Sequence, residues 1–346
     1  MTVTAPTPAP ATEAPRSSGA RLVDRVFKMR ELAILAVFLV MIAVTQLGNS
    51  EFLSEQGVKD LLLNATILVL VATGQSLVVI TRNVDLSVGS TLGISAFAAG
   101  TYLQGGGNPV VAVLLAVLLG IGCGLVNGAL VSLGQVPALV VTLGTLYIIR
   151  GLDSIWVGSR QITAADLPGG FVDFGSGGLS AVPYLALIAL AVLVVAAYYL
   201  KHFGSGRELY ALGSNPEAAR LAGIPVRGRI LTAYVVCGGL AGLAGALYLA
   251  RFGNVDSATG NGYELTVVSA VVVGGVVFTG GSGSVYGAAL GALLLTSVNS
   301  VLPALGVSSV WVLAINGVLL ILAIAVDRIV ALRVASALKK RNARHG

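Results

Sequence analysis

The chain reads as an all-α integral membrane protein with about ten transmembrane helices, and three observations predict it. Hydrophobic residues make up 56% of the 346 positions and charged residues only 10%, against about 25% charged in soluble domains. A chain so poor in charge, with a mean hydropathy of +0.91, cannot cover itself with a water-facing surface, so its exterior faces lipid. Apolar runs recur at about 20 residues, the length of helix that crosses a bilayer core. Lys and Arg gather on alternate connections between those runs, as the positive-inside rule requires of a multi-pass protein.

Residues 1–19 are rich in Pro, Ala, Thr and Ser and too weakly hydrophobic to pack, which predicts disorder. With Arg21, Arg25, Lys28 and Arg30 they form a basic tail over 1–30, followed by a polytopic region over 31–331 and a second basic tail over 332–346. The first apolar run, Leu32 to Gly48, has the look of a secretory leader. No small-x-small cleavage pattern follows it and many more spans do, so it is expected to stay as the first helix. Further spans are expected near 60–80, 86–104, 110–133, 137–155, 183–202, 230–252, 264–281, 285–303 and 309–330. At the glycine-rich junctions 83–90 and 280–287, a full turn and a broken or re-entrant helix both fit the sequence.

With both termini cytoplasmic, all but four of the 21 Lys and Arg residues fall on the inner side, the exceptions being Lys59, Arg150, Arg160 and Arg251. The balance of +6 therefore sets membrane orientation. No basic–aromatic interleaving suggests a nucleic-acid surface, and the expected surroundings are lipid, with no nucleic acid. An internal match is also present: at a constant offset Thr81 lies on Thr279, Gly89 on Gly287, Leu92 on Leu290 and Gly93 on Gly291, the kind of duplication from which transporters are built. Gly238, Gly239, Gly242 and Gly245 put small residues on one helix face, which lets backbones approach closely.

The chemistry-bearing residues are sparse, and that narrows the function classes. Cys123 and Cys237 lie inside apolar spans without metal-ligand spacing; His202 ends a span and His345 lies in the tail, so no metal site or catalytic residue is assigned. A phosphate-cradling loop needs G-x-x-x-x-G-K-[ST], whereas Gly280-Gly281-Ser282-Gly283-Ser284 has no Lys near it; the chain has no ATPase site of its own. An ion-coupled secondary carrier, the alternative reading, needs titratable groups deep in the spans. Span centres here are almost free of them, and no acid–base cluster suggests a membrane-embedded enzyme. The spans instead carry uncharged polar side chains. Asn64, Gln75, Asn127, Asn299 and Asn316 are the candidates for a pathway that hydrogen-bonds a neutral hydroxylated solute, the alternative being bonds between helices.

The loop 203–229 contains a short helix specified at both ends. Asn215 is an N-cap, Pro216 suits the first helical position and Glu217 complements the positive end. Ala218, Ala219, Leu221 and Ala222 favour helix, Gly223 closes it and Pro225 stops it. So short a helix is marginal alone in water. Its alanine-rich face is poor for lipid, which favours a protein docking element spanning Ser214 to Gly223.

That segment resembles the EAA-type coupling loop of ABC importer permeases. Asn83-Val84-Asp85-Leu86-Ser87-Val88-Gly89-Ser90, with Gly74-Gln75-Ser76 and the run Ala211 to Ala219, resembles the simple-sugar branch of that family, which takes ribose, xylose, rhamnose and related solutes. The likeness extends from about Leu32 to Asp327. It implies a permease subunit in a bacterial cytoplasmic membrane, paired with a second permease copy. It also implies a cytoplasmic ATPase that binds ATP and Mg and grips 215–222, and an extracytoplasmic sugar-binding protein. Within the turn motif, Asp85 is expected to cap the helix that begins near Ser87, with Leu86, Gly89 and Ser90 beside it.

Overall fold

A computed structural model of the chain describes residues 18–304 and, beyond them, positions 306, 308, 311, 314, 315, 317, 318, 321 and 325. The expected last span, the tail 332–346 and Asn316 lie wholly or largely outside the described residues, as do residues 1–17 of the N-terminal tail.

The protein is an all-α membrane protein whose only sheet among the described residues is a two-residue hairpin, Gly178–Leu179 with Val182–Pro183. Helix α1 spans Ser18–Gly48, α2 Glu55–Ile80, α3 Val88–Gln104, α4 Pro109–Ser132 and α5 Ala138–Val157. A short α6, Gly169–Ser176, precedes the hairpin, and α7 follows at Tyr184–His202. Then come α8 (Gly204–Ser214), α9 (Pro216–Leu221), α10 (Val226–Phe252), α11 (Tyr263–Val273) and α12 (Val285–Ala304). By length and composition, six of the described helices can cross a membrane: α2, α4, α5, α7, α10 and α12.

Burial sorts these helices into centre and periphery. The most apolar stretch of α2 is 94% buried, against 22% in α4, α5 and α7. A helix apolar all round and buried all round belongs in the middle, and α2 touches α7, α10, α11 and α12. The tightest seam lies between α4 and α10. A Cβ on Gly120 would stand 2.2 Å from the Gly238 carbonyl, one on Gly124 2.3 Å from that of Tyr234, and one on Gly242 2.2 Å from that of Ala116. Here backbone meets backbone, as small residues at four-residue spacing allow within a membrane.

One expected span is shorter than the sequence suggests. The run 264–281 holds helix only to Val273, because Gly275, Gly280, Gly281 and Gly283 all take positive φ (93°, 79°, 72° and 128°). A helix cannot continue through left-handed residues, so 274–284 is non-helical, and the second glycine-rich junction, 280–287, covers its end and the first residues of α12. The first junction is also broken, with a non-helical turn over 81–87 between α2 and α3. The residues matched in the internal repeat serve alike. Gly89 and Gly93 press on the carbonyls of Gly260 and Thr259, and Gly287 and Gly291 on those of Gly274 and Ala270.

The connections collect at two ends. At one, the end of α2 meets α8 and residues 280–281, and α8 leads into α9. At the other, Ile162 and Val255 exchange backbone hydrogen bonds of 3.0 Å, and Arg251 pairs with Asp60 at 2.9 Å.

Candidate functional site

The turn between α2 and α3 is held from every side. Asp85 is buried, and its Oδ1 accepts from the Ser87 N–H at 2.9 Å and the Ser87 hydroxyl at 2.7 Å. Asn127 of α4 donates through Nδ2 to Ser87 Oγ at 2.8 Å and faces both Asp85 oxygens at 3.3 and 3.4 Å. The Gln75 carboxamide, oriented to satisfy both its groups, donates to the Asp85 carbonyl at 3.2 Å and accepts from its N–H at 3.1 Å. Tyr234 of α10 donates to the Val84 carbonyl at 3.0 Å, and Thr142 of α5 approaches the same oxygen at 3.4 Å. Broken backbone within a membrane bundle persists only where protein satisfies its polar groups, and four helices do so here.

Asp85 thus sits at the start of α3, but it receives the N–H of the cap residue Ser87 and not one from the first helical turn. Leu86 joins Val84, Val268 and Val272 in a small apolar cluster. Ser90 donates to the Leu146 carbonyl at 3.0 Å, and Gly89 lies against Gly260 and Glu264. All five motif residues are buried, so their contacts are internal.

Helix α9 is the reverse, a short element turned outward. The Asn215 side chain accepts from the N–H groups of Glu217 and Ala218 at 3.1 and 3.0 Å, with Pro216 in the first position. At the other end Gly223 has φ 79°, its N–H reaches the Arg220 carbonyl, and the Ile224 N–H reaches that of Ala219. Those paired bonds form a Schellman cap. Of the helix only Ala219 is buried; Glu217, Ala218, Arg220 and Leu221 are exposed, Leu221 to 91%. Behind it, Ser214 ends α8, where burial raises the Tyr210 phenol to about 12 and keeps it a donor to the Gly283 carbonyl at 3.0 Å.

The pathway candidates separate into two groups. Gln75 and Asn127 are fully buried and engaged with the turn. Asn64 and Asn299 come together on a cavity of about 230 Å³, with Thr266, Thr296 and Ser300 and the rings of Phe252 and Tyr263. It lies in the half of the bundle remote from α9, since Asn64 is nearer Glu55 than Ile80 and Thr266 is near the start of α11. No acid or base other than the Tyr263 phenol lines it. A hydroxyl group can both donate to and accept from an amide, so the lining suits a small neutral polyol. Sequence reading missed Thr266, Ser300, Tyr234 and Arg82, the last of which takes a left-handed φ of 66°.

Residues 57–324 match the family described as branched-chain amino acid transport system / permease component. The chain is 35% identical over 315 residues to the ribose import permease protein RbsC of Escherichia coli (strain K12), covering 90% of this chain and 97% of that protein. It is 36% identical over 296 residues to the autoinducer 2 import system permease protein LsrC of Enterobacter sp. (strain 638), covering 86% and 84%. The LsrC of Salmonella typhi is 38% identical over 293 residues, covering 84% and 82%. No solved structure matches the chain.

Proposed function

The chain belongs to the family described as branched-chain amino acid transport system / permease component, and from that premise we propose that it imports a simple sugar or similar small polar solute as the membrane-spanning subunit of an ATP-binding-cassette system. Relatives named as ribose and autoinducer 2 import permeases support that substrate class.

The observation that carries the reading is α9. It is capped at both ends, exposed at four of its six residues, and bears an apolar Leu221 in the open. An isolated six-residue helix is unstable in water, so a helix so carefully terminated serves a partner. That partner is the ATPase subunit, which holds ATP and Mg, since this sequence carries no phosphate-binding loop. The α9 end is then cytoplasmic. About ten spans place the basic tails 1–30 and 332–346 on that side and leave 31–331 as the permease body, with 203–229 as the coupling loop.

The cavity of Asn64, Thr266, Thr296 and Asn299 then faces the outer half of the membrane, where an extracytoplasmic sugar-binding protein delivers solute. Asn299 is exposed within an apolar span. An amide is costly against lipid, which favours a water-filled path or a second permease copy beside it. The ion-coupled carrier is disfavoured because no carboxylate among the described residues lines the cavity. Asp85 is enclosed in its turn, and Asp153 lies 3.9 Å from Arg150.

The test is a pull-down of the tagged chain from mild detergent with mass spectrometry of its companions. A co-purifying ATPase that is lost when Asn215–Ala222 is replaced by a flexible linker supports the proposal. A chain that arrives alone and takes up solute without ATP overturns it.

A further inference from the structure

The two glycine-rich turns, far apart in sequence, meet each other and the base of α9. The Ile80 carbonyl at the end of α2 accepts from the Gly281 N–H at 2.8 Å. Gly213, near the end of α8, closes this contact: a Cβ there would stand 1.8 Å from the Ile80 oxygen and 2.4 Å from the Gly281 nitrogen. A Cβ on Gly281 would in turn stand 2.4 Å from Ser214 Oγ. Three backbones therefore touch with no room for a side chain between them.

Arg82 fastens the junction. Its Nε donates to the Gly213 carbonyl, and its Nη2 donates to the Ser214 carbonyl at 2.6 Å. The last carbonyls of a helix have no intrahelical partner and carry the negative end of its dipole, so a planar cation that forks onto two of them fits α8 well. The left-handed backbone at Arg82, φ 66°, is unfavourable for a residue with a Cβ and is retained where the guanidinium reaches those carbonyls. The next residue along, Asn215, is the N-cap of α9. One peptide unit thus separates the Arg82 contact from the exposed helix.

We propose that Arg82 is the positioning residue that carries a displacement of α9 into the 81–87 turn, and through Ile80 and Gly281 into the 274–284 segment, so that both broken stretches move with the docked ATPase. This rests on the reading that α9 docks that subunit. A purely structural Arg82 would affect how much protein survives, whereas a transmitting Arg82 sets the number of ATP molecules spent per solute imported.

The experiment uses the complete complex of permease, co-purified ATPase and binding protein in proteoliposomes, with ribose as the probe. Arg82→Ala is expected to keep the ATPase in the pull-down and to hydrolyse ATP, while uptake falls at least tenfold. Arg82→Lys, which keeps the charge but not the fork, is expected to fall between, and it stands in if Arg82→Ala fails to accumulate. In a background with Cys123 and Cys237 replaced by Ala, R82C/S214C is expected to be uncoupled when free. A short, reducible bifunctional thiol reagent between the two cysteines restores uptake, and reductant abolishes it again. Wild-type ATP-to-solute ratios in both Arg82→Ala and Arg82→Lys overturn the inference while the docking reading stands. So does a loss that the cross-link fails to restore. Failure of the unaltered chain to bring down an ATPase overturns the docking reading and the inference with it.

Discussion

Asn127 and Ser87, on either side of the α3–α4 hairpin, are joined by a 2.8 Å hydrogen bond, and the same Asn127 amide faces both oxygens of the buried Asp85 carboxylate. The α2–α3 turn therefore depends on a side chain from a different helix. Replacing Asn127 by Leu leaves a buried carboxylate short of a donor, a loss of about 1–3 kcal/mol. Asn127→Asp, which sets a second acid beside the first, is expected to cost more. Thermal unfolding in detergent checks this order, and unchanged midpoints for both variants would refute it.

The α4–α10 seam makes a sharper contrast among glycines. Gly124→Ala and Gly238→Ala each force a Cβ to within about 2.3 Å of a carbonyl oxygen on the facing helix, and both are expected to lower yield and melting temperature. Gly122, two residues from Gly124 and so on the opposite face of the same helix, has open space at its Cβ position. Gly122→Ala is expected to be neutral or to stabilise by up to about 1 kcal/mol. Equal effects at all three positions would mean the seam is not close-packed.

Sidedness is tested by thiol labelling of whole cells. Gly170 is exposed and a side chain there meets nothing, so Gly170→Cys is expected to react with an impermeant maleimide from outside. Leu221→Cys on α9 is expected to react only after the cells are opened. The opposite pattern inverts the topology.

Docking and solute path are separable by mutation. Asn215→Ala removes a cap worth about 1 kcal/mol, and Glu217→Lys reverses the charge at the N-terminal end of α9. Both are expected to reduce ATPase recovery and solute-dependent hydrolysis. Asn64→Leu and Asn299→Leu are expected to leave ATPase recovery intact and cut uptake several-fold. Uptake kinetics beside the pull-down distinguish the two sets, and loss of ATPase binding in the asparagine variants would contradict the assignment.

Acid acts on the 163–166 turn through Asp166. Hydrogen bonds from the Thr163 N–H and hydroxyl hold its carboxyl below the ordinary 3.8. The folded pKa is the lower one, so the loop contact is fully present above 3.8 and is lost as pH falls through the folded value. Protection of the Thr163 amide against hydrogen exchange, relative to the intrinsic rate at each pH, is expected to hold above 3.8 and to fall as pH drops through the lower folded pKa. Asp166→Asn should abolish that dependence.

Much of this could be read from the sequence because the relevant signals are local. The ends of α9 follow from Asn215, Pro216 and Gly223, whose preferences act within one turn. The limit of α11 was obscured because Val271 to Phe278 stays apolar past Gly274 and Gly275, and hydropathy does not register positive φ. Polarity alone chose Gln75 and Asn64 equally. It could not tell which faces the turn and which the cavity, because these helices are apolar on every side and give no directional pattern. Tyr234 passes for an ordinary aromatic in a span, and nothing in the identity of Arg82 announces its backbone conformation.

The glycine seam also limits how the bundle can deform. With Gly120, Gly124, Gly238 and Gly242 in backbone contact, neither α4 nor α10 can roll or slide without driving an oxygen into an α-carbon. The pair behaves as a single stiff spar. Because α10 leaves α9 after only a short bend at Pro225, a load applied at the exposed helix is borne by both at once. Any hinge must therefore fall outside them, and the bundle has fewer moving parts than it has helices.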